Sequence, residues 1–264
     1  MSNETTSRIE EFKVEVWTPE ANWHIPKAKA VFIFPAFGRR NYGAVVKKAL
    51  ANGQRLPTGE KDAFMLDEAY NSANNEVKNS LRTKFVRDDV MFNGWLWVPV
   101  VNVWTPNNTK NPGKYGVFDE NGEGLERVYT TEELEDRLSS GFNERGVRFS
   151  NDRKVSFAPR NTFNGGYHDR GTLSQDGAFI SNYGVEGAEK LDKVAENFPQ
   201  KPYSWIVDNN TNKPIQTLSA LGRFWDRSFD GLVADFFAYG GDRDGYVLSV
   251  SGSGDSAEGT APKK

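Results

Sequence analysis

The chain has no cysteine among its 264 residues, which excludes disulfides, thiolate metal sites and thiol nucleophiles together. Histidine is nearly as scarce, with only His24 and His168, so a zinc centre built on imidazoles lacks its donors. Basic residues do not outnumber acidic ones: 33 against 36 leave a net charge of -3 and no global attraction to nucleic acid or to an anionic membrane. Apolar runs such as 30–34 and 95–101 fall far short of the roughly 20 residues that cross a bilayer, so no membrane contact is expected. The polar, acidic start at residues 1–13 lacks the basic-then-apolar order of an export signal, which sets the expectation of a cytoplasmic protein. Catalytic signatures are missing as well. No G-x-S-x-G turn, S-x-x-K, H-E-x-x-H or glycine-rich kinase loop occurs, and the reading leans away from an enzyme, with no cofactor and no metal expected.

What the chain has in quantity is aromatic side chains: 18 Phe, 9 Tyr and 7 Trp, each ring able to bury on the order of 150–250 Å². An aromatic core follows. Short alternating segments at 12–17, 147–149 and 155–157 carry the period-2 signature of half-buried strands, and 150–153 joins the last two as a hairpin. A more deeply buried strand is expected at 29–34, broken by Pro35 and Gly38, then a short helix at 42–51. Thr58 is placed to cap a helix that sends Phe64, Leu66, Ala69 and Tyr70 to the core, and Thr130 with Glu133 has capping-box spacing. The Trp-rich segment 95–104 is apolar on both alternations, so its strand should be covered on both faces, with an edge, a bulge or a break at Pro99.

Further along, 178–183 reads as strand, 184–197 as a helix with an apolar stripe from Val185 to Phe198, and 203–208 as strand. Two more strands are expected at 231–239 and 246–250. The fold class is therefore α+β: one mixed-sheet domain with a few short helices, one strand-helix-strand unit and long loops. Its expected organisation is a flexible N-terminus over 1–11, a globular domain over 12–250 and a disordered tail over 251–264.

Several places invite chemistry. The turn containing Gly184, Gly187 and Ala188 stands between a strand and a helix, where free backbone N–H groups attract a phosphate; Glu186 in the same turn opposes that and favours simple capping. His168 sits beside Asp169 and Arg170 and is the one candidate general base. Arg148, Arg153 and Arg160 fall among Phe149, Phe157 and Phe163, the mixture that a single-stranded nucleic-acid groove uses, though alternation over 147–149 sends arginine and aromatic to opposite sides of that strand. The acidic loop from Asp119 to Gly124 lacks the spacing of a calcium loop and reads as a turn. The tryptophans of 95–104 offer a stacking platform, with burial preferred. Three functions follow in order: a non-catalytic binding or self-assembling protein; an enzyme or sensor of a small phosphorylated ligand at the Gly184–Ala188 turn; and single-stranded nucleic-acid binding through the 145–170 region.

Overall fold

A computed structural model describes residues 22–207, 214–225, 230–239 and 244–251. The flexible start, the strand expected at 12–17 and all of the expected tail beyond Ser251 lie outside the described residues.

Among the described residues twelve strands form one mixed sheet, and the central strand explains the apolar sequence at its heart. This strand, β3 (Leu96–Thr105), follows β1 (Asn22–Ile25) and β2 (Ala30–Arg40) in the chain and is buried at every position. It lies between β4 (Gly113–Phe118) and β10 (Ile215–Trp225), antiparallel to both. On the β4 side follow β7 (Val155–Pro159), β6 (Val147–Phe149) and β5 (Phe142–Glu144). On the β10 side come β11 (Asp230–Ala238), β9 (Tyr203–Trp205) and β8 (Gly166–Tyr167), while β12 (Gly245–Val250) joins β2 to β3.

Helices cover both faces, which is why β3 shows no polar alternation. On one face α1 (Tyr42–Ala51) supplies Tyr42, Val45, Val46 and Ala49, and α5 (Thr131–Leu138) supplies Leu134 and Leu138, packed over Trp97, Val101 and Val103. On the other, α2 (Gly59–Asn71) and α6 (Gly177–Ala195) pack over Leu96, Val98 and Trp104. Two four-residue helices, α3 (Asn75–Lys78) and α4 (Leu81–Lys84), lead into a wide-turn helical segment at Phe85–Phe92.

Local chemistry sets many boundaries as expected. Thr58 Oγ1 accepts from Lys61 N at 3.3 Å and Thr130 Oγ1 from Glu133 N at 3.2 Å, each satisfying a first-turn donor. Pro99 sits at a bulge: Leu218 faces Val101 and Ser219 faces Val98, leaving two residues of β3 unopposed.

Two expectations are corrected, and one strand is not among those expected. Pro35 and Gly38 do not end β2, because the register against β12 slips between Val247 and Ser249 and takes up the residues around Pro35 as an irregularity. β10 carries Thr217 and Ser219 among its apolar residues and gave no alternation to find, yet it is the partner of the central strand. Residues 178–183 are helix rather than strand. Asp176 caps that helix, its side chain accepting from Ala178 N and Phe179 N, and a short apolar run has no period that separates strand from helix. Gly184 interrupts α6 with φ 68° and ψ 171°, so the helix expected from 184 is its second half.

Candidate functional site

The most distinctive surface lies where β8, β9 and β10 meet the residue that precedes β3. β9 alternates: Ser204 points inward while Tyr203 and Trp205 stand half-buried on the opposite face. Tyr203 meets Tyr167 edge-on at 5.0 Å between ring centroids and Trp205 at 5.7 Å. Trp205 then contacts Trp95 and Phe224, each at 6.0 Å. Five rings thus form one connected cluster across four chain segments, with Tyr167 65% and Phe224 38% exposed. Beside it a groove of about 330 Å³ is lined by Arg160, Gly165, Gly166 and the 203–207 segment.

Burial, preferred for the tryptophans of 95–104, holds for Trp97 and Trp104, at 0% and 1% exposure, and not for Trp95, which joins this cluster. Tyr203 and Trp205 belong to it and were not singled out from sequence; the signal was the alternation Tyr-Ser-Trp itself.

Directly behind the cluster lies His168, and the partners of its ring are not the neighbouring Asp169 and Arg170. Nε2 is 2.8 Å from Ser204 Oγ, and Nδ1 is 3.9 Å from Asp176 Oδ2. Asp169 pairs with Lys201 at 2.6 Å, and Arg170 donates to the carbonyls of Ala195 and Phe198. The Ser204 hydroxyl also donates to Asn164 O at 3.4 Å, so it joins the imidazole to the backbone ahead of β8.

Ser, His and Asp in this order resemble a nucleophile relay, but the geometry does not serve one. The 3.9 Å gap exceeds a hydrogen bond, Asp176 already accepts from the amides of Asn164, Ala178 and Phe179, and Ser204 is 1% exposed. The arrangement instead latches β8 and β9, and so the aromatic cluster, onto the start of α6.

Burial holds the His168 imidazole below its usual range, although Asp176 and Asp192 draw it back up. The folded state therefore binds this proton less readily than the unfolded chain does. The latch contributes its full stability above the unfolded value of about 6.5 and loses it as pH falls from there through the lower folded value. Thermal melts from pH 7.5 to 5 will show a declining Tm that flattens in His168→Gln over the same range. An equal slope in both proteins would place the acid sensitivity elsewhere.

Between the sheet and α6 runs a buried polar network that fixes the frame. Lys114 on β4 is fully buried and donates to Asn102 Oδ1 at 2.8 Å and to Asn182 Oδ1. Both amides donate in turn to Ser219 Oγ, at 2.8 and 2.5 Å. Nζ also lies 5.9 Å from the Trp104 ring centre and 5.5 Å from that of Phe236. Burial draws the Lys114 amine well below its usual range, with the Asp176 charge opposing.

The remaining sequence candidates are placed as follows. Gly187 permits close helix packing: a Cβ there would sit 3.1 Å from Glu60 Cα and 3.4 Å from Ala63 Cβ of α2. Ala188 is fully buried. At Gly184 the Glu60 carboxylate lies 3.4 Å from where a Cβ would stand, so the turn faces an anion supplied by the chain itself. Gly184 lies beside Glu60, whereas the His168 ring faces Ser204 and Asp176.

Arg148 makes a two-pronged pair with Glu135 at 2.7 and 2.9 Å and covers Phe157 of the neighbouring strand, while Val147 and Phe149 are buried on the other face of β6 as the alternation of 147–149 predicts. Arg153 pairs with Glu144 at 3.2 Å and covers Phe142 and Phe149. Arg160 donates to Phe163 O and lies over that ring. Arg148 and Arg160 do share a groove of about 500 Å³ with Lys110; Arg153 does not line it. In the acidic loop, Asp119 is buried and accepts from Tyr42 Oη at 2.7 Å and from the amides of Glu123 and Gly124, which closes the turn around its carboxylate. Among the described residues no group of three or more His, Asp or Glu side chains is placed to hold a metal ion, and no helix is long and apolar enough to cross a membrane.

No protein-family model matches the chain, and no curated protein matches it in sequence. A solved structure is similar in three dimensions, with a TM-score of 0.51 and 18% identity over 82% of this chain and 96% of the other. It is described as the accommodation of massive sequence variation in Nanoarchaeota by the C-type lectin fold. At that identity the likeness is one of fold alone.

Proposed function

We propose that the protein is a non-catalytic binding module whose contact surface is the ring cluster of Tyr167, Tyr203, Trp205, Trp95 and Phe224, and that a second copy of the chain is its first partner. The observation that carries this reading is the edge-to-edge connection of five partly exposed rings on strands pinned from behind. Aromatic side chains on a rigid element bind at low entropic cost and dominate contact energies in protein interfaces. The similar structure supports the reading in one further respect: its fold is described as accommodating massive sequence variation, which suits a binding role. Here the Lys114–Asn102–Asn182–Ser219 network shares no residue with the ring cluster.

Sedimentation across a wide concentration range tests the proposal. Trp205→Ala should weaken self-association roughly thirtyfold, the effect of truncating a central hot spot worth about 2 kcal/mol. The far-UV spectrum should stay unchanged. A chain that is monomeric at every concentration and recovers no partner from lysate would defeat the reading.

A further inference from the structure

The structure assigns a second site, independent of the ring cluster: a groove of about 480 Å³ at the start of α2 that we infer binds a phosphate-bearing small molecule. Three cations reach it from separate parts of the chain, Arg55, Lys61 and Lys154. Glu120 is the one acid lining it, and it pairs with Lys154 at 2.6 Å. Among the described residues the side chains of Arg55 and Lys61 have no ion pair or hydrogen bond, and Lys61 feels the Glu60 carboxylate only through space, so two cations share one concavity without a contacting counter-charge. Like charges gathered in this way repel, and an anion between them removes the repulsion.

The site is held in place. The Arg55 amide donates to Val250 O at 3.0 Å and its carbonyl accepts from Val250 N at 2.8 Å, which ties the arginine to the end of β12. Lys61 is in the first turn of a 13-residue helix, fixed by the Thr58 cap, and the positive end of that helix adds to the field. The other acids of that turn do not line the groove: Asp62 is fully buried, and Glu60 lies against Gly184. Leu56 and Phe118 give the groove an apolar wall for the body of a ligand, and its size suits a small molecule. The ligand class is the one the sequence suggested for the Gly184 turn, yet none of the residues is shared.

Amide and arginine side-chain NMR spectra of the full chain, titrated with inorganic phosphate at constant ionic strength, will test the inference. Saturable shifts are expected at Arg55, Lys61 and Lys154, and Arg55→Gln with Lys61→Gln should weaken the affinity about tenfold or more without lowering Tm. Phenyl phosphate serves as the second probe: tighter binding than phosphate assigns the ligand to a phosphomonoester, and equal binding assigns it to the free anion. Shifts that grow linearly and match those from chloride would overturn the site, as would an unchanged affinity in the double variant. Because self-association is read separately by sedimentation, failure here leaves the ring cluster standing, and the reverse.

Discussion

Lys114→Met will lower folding stability by about 3 kcal/mol, because methionine keeps the stem but leaves the side-chain oxygens of Asn102 and Asn182 without their donor. Each buried acceptor left unmade costs about 1–3 kcal/mol, and relief of the buried amine offsets part of the sum. For a chain of this size the loss corresponds to a fall in Tm of about 10 °C. Replacing Asn102 and Asn182 by leucine in the same protein should recover much of it, since the orphaned acceptors then disappear. Chemical denaturation at pH 7 provides the measurement; a single variant as stable as the parent would show that the network contributes nothing net.

Asp62→Leu will act in the opposite direction. Asp62 is fully buried on α2, and neither carboxylate oxygen meets a donor; the Tyr183 hydroxyl is likewise buried without a partner. Burial alone pushes the Asp62 carboxyl well above its usual range. The penalty is thus smallest below the unfolded value of about 3.9, where both states hold the proton, and grows as pH rises through the folded value. Leucine removes it and extends the apolar face of Met65, Leu66 and Ala69, for a gain of about 2 kcal/mol at pH 7. The Tm difference between variant and parent should narrow from pH 7 to pH 4. A difference independent of pH would assign the gain to packing instead.

How much of this was written in the sequence differs between the fold and the site. Capping hydroxyls at Thr58 and Thr130, the helix at 42–51 and the hairpin of β6 and β7 follow from interactions within a few residues, and these were legible. The first half of α6 was not, since Ala178 to Tyr183 is apolar without a period and the kink at Gly184 imitates the end of a strand. The second half of β2 and all of β10 escaped for a related reason. Their irregular registers accommodate residues that look like breakers or polar interruptions only once the partner strand is known.

The site was less legible still. His168 was visible as a rare titratable group, but its partners lie 8 and 36 residues away, and the adjacent Asp169 is engaged elsewhere. Trp95 and Trp97 are two residues apart, yet one meets Trp205 at the surface and the other is buried.

By itself the sequence determined the class: an α+β chain with an aromatic core, no thiol chemistry and no helix-length apolar run, because composition and short-range periodicity fix those properties. Only the tertiary structure decided which rings remain at the surface, which charges lack a contacting partner and which polar groups are sealed inside. Those outcomes depend on strand pairings between residues up to more than a hundred positions apart, and pairing geometry, unlike periodicity, leaves no mark on either partner alone.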